Sequence, residues 1–270
     1  MLARRVIQSA IFWLAFAPAL CSAQQQRTLL AIFAHPDDET LVAPILARYS
    51  REGVKVYIVY ATSGDQGETE HARIPAGDSL AAVRNAEAAC AAEALGAEPP
   101  ILLGFPDGGL ATFQILVWDP EEPELMAGRM RAEIDHLFGR LRPDVVVTWG
   151  PEGSYGHPDY RLISSVVSEP FQELEATRPS NLYFVGHPAD RFVDGAPSEY
   201  RRFKGVARRF LTVSVSYDAQ AERNARNALS CHRSQFTPEA MDEVWAMLNY
   251  FNQQFIHFRP FVPRQGDSLF

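Results

Sequence analysis

A chain of 270 residues, 47% hydrophobic and 21% charged, has the size and composition of one globular α/β domain with a full core. Its formal net charge of −8 becomes −10 without residues 1–23, which hold two arginines and no acid. So acidic a chain gains nothing from counterion release, which sets nucleic acid aside as a partner.

The amino terminus reads as a secretory signal peptide. Arg4 and Arg5 form a basic head, Val6–Leu20 carry no charge, and Cys21-Ser22-Ala23 ends on small residues. The apolar stretch is shorter than the roughly 20 residues of a membrane span, so an uncleaved anchor fits less well. Leu20 is bulky where a lipoprotein cleavage site needs a small residue, which weighs against lipid on Cys21. The expectation is a single domain over 24–270, secreted or periplasmic, with no membrane span in the mature chain. Cys90 and Cys231 remain in it; an oxidising compartment would let them pair, and the sequence leaves open whether they do.

Residues 28–34, a continuous apolar run, predict a strand buried on both faces. A helix is expected over 40–52 and a β-rich strand over 54–61. The alanine-rich stretch 79–95 predicts a helix stopped by Gly96. A short strand over 101–105 ends at Pro106-Asp107-Gly108-Gly109, strong turn chemistry. Then follow a helix over 123–141, a strand over 144–149, a helix over 162–176, strands over 181–186 and 210–216, and helices over 219–230 and 238–253. Residues 188–204 read as a loop or lid. The alternation predicts an α/β, Rossmann-like, mostly parallel sheet with helices on both faces. Ligands bind such sheets at the carboxyl ends of the strands, which gathers loops 35–39, 62–71, 105–110 and 149–160 into one candidate site.

The first of these loops carries His35-Pro36-Asp37-Asp38-Glu39. Divalent metals take imidazole and carboxylate ligands, and a zinc hydrolase uses three of them plus a water. Neighbouring carboxylates point in different directions, so one can bind metal while the other takes a proton from the metal-bound water. A plain helix-start cluster, capping and complementing the dipole, is the competing reading; the histidine at the strand's end weighs against it. The loop after the fourth strand carries Tyr155-Gly156-His157-Pro158-Asp159-Tyr160. Pro158 suits the first position of a helix and Asp159 its first turn, with His157 and Tyr160 on one side.

Together, Ala34-His35-Pro36-Asp37-Asp38-Glu39 and the later His157-Pro158-Asp159 resemble the PIG-L/LmbE-like N-acetylglucosaminyl deacetylases. The likeness extends to Thr62–Glu68, Arg84-Asn85-Ala86-Glu87, Asp107-Gly108 and His232-Arg233-Ser234-Gln235, in the family's order. The resemblance implies zinc-dependent, or other divalent-metal-dependent, removal of an acetyl group from an N-acylated amino-sugar. It implies His35 and Asp38 as metal ligands and Asp37 as general base. A cationic His157 and the Tyr155 hydroxyl would stabilise the oxyanion, and Arg84 and Asp107 would line the sugar site.

One position departs from the pattern. The family's second motif normally reads His-Pro-Asp-His, and its last histidine completes the metal site; here that position is Tyr160. Tyr160 as a ligand, a substitute from elsewhere such as His71 or His187, and a degenerate site in a non-catalytic secreted carbohydrate-binding protein all stay open. Retention of Asp37, His157 and Tyr155 favours an enzyme. No Gly-x-Gly-x-x-Gly follows the first strand, which disfavours a dinucleotide-binding protein. His136 reads as a surface residue and the aromatic stretch 255–261, with His257, as a packed terminal segment. Trp118, Trp149 and Tyr155 are candidates for stacking on a sugar, though core packing is the commoner fate of tryptophan.

Overall fold

The computed structural model describes residues 26–108, 126–172, 179, 181–192 and 205–270. The expected signal peptide and Trp118 lie outside them, as does most of the expected lid. Among the described residues no helix is long and apolar enough to cross a membrane.

Five strands run parallel: β1 (Thr28–Phe33), β2 (Lys55–Thr62), β3 (Ile101–Phe105), β4 (Val145–Trp149) and β5 (Asn181–Val185). β6 (Val213–Ser216) and β7 (Phe255–Pro260) complete a seven-stranded sheet of order β3-β2-β1-β4-β5-β7-β6. Every residue of β1 and of β4 is buried, as continuous apolar runs require when helices cover both faces. Leu30 faces Val146 across the central pair. The helices are α1 (Ala43–Arg51), α2 (Asp78–Leu95), α3 (Met126–Leu141), α4 (Pro158–Ser168), α5 (Ala219–Leu229) and α6 (Pro238–Asn252). α1, α2 and α5 pack on one another, and α3 packs on α4.

Local chemistry sets several boundaries. Gly96, at φ 70°, ends α2 in the left-handed conformation that glycine adopts without strain. Asp218 caps α5 by accepting from the Ala221 N–H at 2.8 Å, and Thr237 caps α6 by accepting from Ala240 at 3.2 Å. Two expectations change. The segment 255–261 is not mere terminal packing, because residues 255–260 form β7, antiparallel to both β5 and β6, and Phe258 pairs with Val185 and with Val213. The expected helix over 162–176 starts at Pro158, where the ring has no N–H to lose, and tightens into a 3-10 turn over Glu169–Gln172.

The topology places the site. From β1 the chain moves outward through β2 and β3, then returns to β4 on the other side of β1. The strand order therefore reverses between β1 and β4, and the crevice at their carboxyl ends is the expected ligand position.

Candidate active site

Where β1 ends, the chain turns sharply. The Asp38 carboxylate folds back beneath the strand end, its Oδ2 accepting from the N–H groups of Ala34 (3.0 Å) and His35 (2.9 Å) and from the indole N–H of Trp149 (3.3 Å). Its Oδ1 accepts from the Tyr160 hydroxyl at 2.7 Å. Asp37 is thrown into the left-handed region at φ 100°, a conformation a non-glycine residue holds only when its surroundings impose it.

The loop after β4 closes the opposite wall. His157 is the N-cap of α4, and its Nδ1 accepts from the Asp159 N–H at 3.2 Å. Tyr160, one turn into the helix, lies between two rings, with Trp149 at 4.1 Å and 9° and His157 at 4.6 Å and 27°. That stack leaves the phenol one direction, towards Asp38. Burial first, and then the Asp38 charge, push the Tyr160 hydroxyl well above the usual phenol range, so it stands there as a neutral donor.

His35 is the electrostatic centre. Its Nε2 lies 3.1 Å from Asp107 Oδ1 and 3.3 Å from Asp159 Oδ2, and its Nδ1 lies 3.8 Å from Asp38 Oδ2. Burial alone would lower its pKa, but hydrogen bonds to Asp107 and Asp159 and the charge of Asp38 push it up to about 10. Three carboxylates around one imidazole make a place that favours a cation. Burial would raise Asp107, yet its bonds to His35 and to the Gln66 N–H hold it below the ordinary carboxylate range. Asp37 goes the other way: burial lifts it to about 6, against the pull of Arg84, whose Nη2 is 3.0 Å from Asp37 Oδ2. Burial and the charge of His35 lower His157. With Nδ1 accepting a hydrogen bond, the ring is the neutral Nε2–H form and not the cation expected.

The sequence-derived residues therefore converge. His35, Asp37, Arg84, Asp107, Tyr155, His157 and Tyr160 line one cavity of about 330 Å³ between the strand ends, and Asp38, buried, is hydrogen-bonded to Tyr160 of that lining. Arg84 and Asp107 reach it bound to site residues, Asp37 and His35. Tyr155 is 43% exposed at the rim, whereas Trp149 is core. His71 and His187 are elsewhere: His71 bonds the Arg233 carbonyl at 2.9 Å, and His187 is buried against Asn252 and Phe251.

A further candidate ligand, beyond those expected from the sequence, is Asp159. His35, His157 and Asp159 offer ligand atoms all within 4.8 Å of one another. Two imidazoles and a carboxylate are a donor set suited to a catalytic divalent ion. Asp38 and Tyr160, the other expected ligands, hydrogen-bond each other at 2.7 Å, and Asp38 Oδ2 lies 3.8 Å from His35 Nδ1. The signal was present in His157-Pro158-Asp159, where the carboxylate was read only as complementing a helix dipole. Glu39 and His232 were also missed as partners. Fully buried, they meet at 2.7 Å, and burial notwithstanding, each holds the other charged, Glu39 lowered and His232 raised. Cys90 and Cys231 are bonded, Cα to Cα 5.8 Å, joining α2 to the turn that carries His232.

Comparison with known proteins agrees with this geometry. The family model PIG-L, described as GlcNAc-PI de-N-acetylase, matches residues 30–171. A 1D-myo-inositol 2-acetamido-2-deoxy-alpha-D-glucopyranoside deacetylase of Saccharomonospora viridis is 36% identical over 235 residues, covering 77% of this chain and 85% of its own. The protein of the same name from Rhodococcus opacus is 36% identical over 271 residues, covering 89% and 92%. Among solved structures, the N,N'-diacetylchitobiose deacetylase of Pyrococcus horikoshii superposes with a TM-score of 0.62 at 20% identity, covering 87% of this chain and 84% of its own. GalB, a 4-carboxy-2-hydroxymuconate hydratase of Pseudomonas putida, superposes at 0.60 with 14% identity, covering 91% and 100%. One fold thus carries different chemistries, and the site must argue the activity. With the motif segments in place around the switch-point cavity and a match over more than half its length, the chain belongs to the PIG-L family of deacetylases.

Proposed function

We propose that this chain is an exported, divalent-metal-dependent hydrolase that removes the N-acetyl group from a glucosamine-type sugar. The observation that carries the reading is the meeting, around one cavity of about 330 Å³, of a half-buried carboxyl with a pKa raised to about 6, Asp37, with the donor set His35, His157 and Asp159. The substrate class follows the two relatives named as deacetylases of an acetamido-glucopyranoside. The volume suits one sugar ring.

A bound divalent ion, zinc being the expected one, would polarise the amide carbonyl and bring the pKa of the attacking water towards roughly 7. Asp37 takes the proton from that water and returns it to the departing amine, and a pKa of about 6 suits both transfers near neutral pH. Arg84 holds Asp37 in place through Oδ2. The Tyr155 hydroxyl at the rim donates to the amide oxygen as negative charge grows there, a role worth about 3–4 kcal/mol for one good donor. With Nδ1 accepting from the Asp159 N–H, His157 carries its proton on Nε2 and can join Tyr155 as a donor. To hold the ion through Nε2 it would instead move that proton to Nδ1 and give up the Asp159 bond. A secreted sugar-binding protein would use the same cavity but has no need for a base in it. Export is supported by the composition of residues 1–23 and by the Cys90–Cys231 bond, since disulfides persist in oxidising compartments.

The test is metal content together with amine release from a panel of N-acetylated sugars, on protein spanning 24–270, beside Asp159→Ala. The reading expects near-stoichiometric metal and amine release, both lost in the variant. Metal-free protein that stays inactive with added zinc would move the assignment to a non-catalytic glycan binder. His157→Gln separates its two tasks: weakened metal binding marks a ligand, and intact binding with a fallen kcat marks an oxyanion donor.

A further inference from the structure

Asp37 is held from both ends by residues far away in sequence. Its side chain is gripped by Arg84 of α2, which also donates to the carbonyls of Pro36 and Gly64. Its backbone N–H donates to Glu39 Oε2 at 3.0 Å. That oxygen also takes the Tyr60 hydroxyl at 2.7 Å, and Glu39 Oε1 takes His232 Nε2 at 2.7 Å. Both Glu39 and His232 are fully buried, and His232 Nδ1 has no hydrogen-bond partner among the described residues. The Glu39 contact is thus what orients that ring.

The turn carrying His232 is itself fastened to α2. Glu87 accepts from the Ser234 N–H at 2.7 Å and from its hydroxyl at 2.6 Å, and Cys90 is bonded to Cys231. Arg84, Glu87 and Cys90 follow one another at three-residue intervals along one side of the helix, the spacing of neighbours on a helix surface. A closed circuit results: Asp37 to Arg84, along α2 to Glu87 and Cys90, across to Ser234 and Cys231, then through His232 and Glu39 back to the Asp37 N–H.

We propose that Glu39 and His232 are positioning residues that hold Asp37 in its left-handed backbone conformation, and that the Cys90–Cys231 disulfide closes this clamp. A turn at φ 100° is not one an aspartate keeps unaided. The Glu39 bond to its N–H, braced by His232, selects it. The catalytic part of the proposal rests on Asp37 being the base; the structural part does not. Because Cys90 is on the surface, a soluble phosphine can reduce the bond and loosen the clamp from outside.

The experiment compares wild type, His232→Phe, His232→Gln and Cys90→Ala/Cys231→Ala by crystal structure, metal content and kcat and KM for amine release. In His232→Phe, which fills the volume without a donor, Asp37 is expected to leave the left-handed region. The kcat should fall about 100-fold, the scale of a misplacement of roughly 1 Å, with KM and metal content unchanged. His232→Gln, whose amide can donate to Glu39, should recover most of the loss, and the double cysteine variant should show a smaller fall of the same kind. Asp37 remaining at its wild-type φ in His232→Phe with full kcat would overturn the proposal, as would loss of metal in parallel with kcat. If wild type itself releases no amine, the functional reading fails while the backbone of Asp37 in the variants still decides the clamp. Should His232→Phe not fold, Glu39→Gln, which trades one acceptor oxygen for an amide group, is read against the same outcomes.

Discussion

Replacing both cysteines in Cys90→Ala/Cys231→Ala removes a crosslink between residues 141 apart in sequence. In the chain-entropy picture a loop of that length restrains the unfolded chain by about 17 cal/mol/K, or about 5 kcal/mol at 25 °C. Part of that is not realised when the reduced unfolded chain keeps some structure, so the expected loss is about 3–5 kcal/mol. Cys231 is buried and Cys90 is exposed, which confines the void left by alanine to one end of the bond and keeps the packing term small. Set against a total stability of about 5–15 kcal/mol, the loss is large and should lower Tm by roughly 10 °C. Equilibrium urea unfolding at pH 7, followed by circular dichroism at matched metal content, reads it directly. The m-value should rise in the variant, because the unfolded chain without a crosslink exposes more surface. A loss under about 1 kcal/mol with unchanged m would refute the reasoning, since it would mean that the bond does not restrain the unfolded chain.

Other perturbations test other parts of the structure. Burial holds His187 neutral to about pH 4, against an unfolded value of 6.5. The unfolded chain therefore binds the extra proton first, and about 3 kcal/mol of stability is lost as pH falls from 6.5 to 4, with no further change from this group below that. Urea midpoints across that window should flatten in His187→Gln relative to wild type. Tyr160→Phe keeps the stack on Trp149 and His157 but deprives Asp38 Oδ1 of its donor, an expected cost of about 1–3 kcal/mol seen as a lower Tm. Asp37 must be deprotonated to act as a base, so amine release should decline as pH drops through about 6. That acidic limb should be absent from the residual rate of Asp37→Asn.

The sequence by itself determined the features that local physics encodes. Continuous apolar runs marked β1 and β4, because strands covered on both faces tolerate no polar alternation. Gly96 and Pro158 marked a helix end and a helix start, because backbone freedom and a missing N–H act within one turn. The two motif segments were legible as a site, because a parallel sheet brings its strand ends together whatever else the chain does. β7 was not legible: residues 255–260 read as terminal packing, and only pairing with β5 and β6 makes them a strand. Nor was the partner of Tyr160, since the phenol's direction is set by rings at Trp149 and His157 and by a carboxylate 122 residues away. The Cys90–Cys231 bond and the Glu39–His232 pair, 193 residues apart, belong to the same class. Their geometry depends on how helices and strands stack, and no nearby residue carries that information. Tertiary structure alone decided that Asp107 and Asp159, distant in sequence, join Asp38 around His35, because which carboxylates face one imidazole is settled by how the strand-end loops pack together.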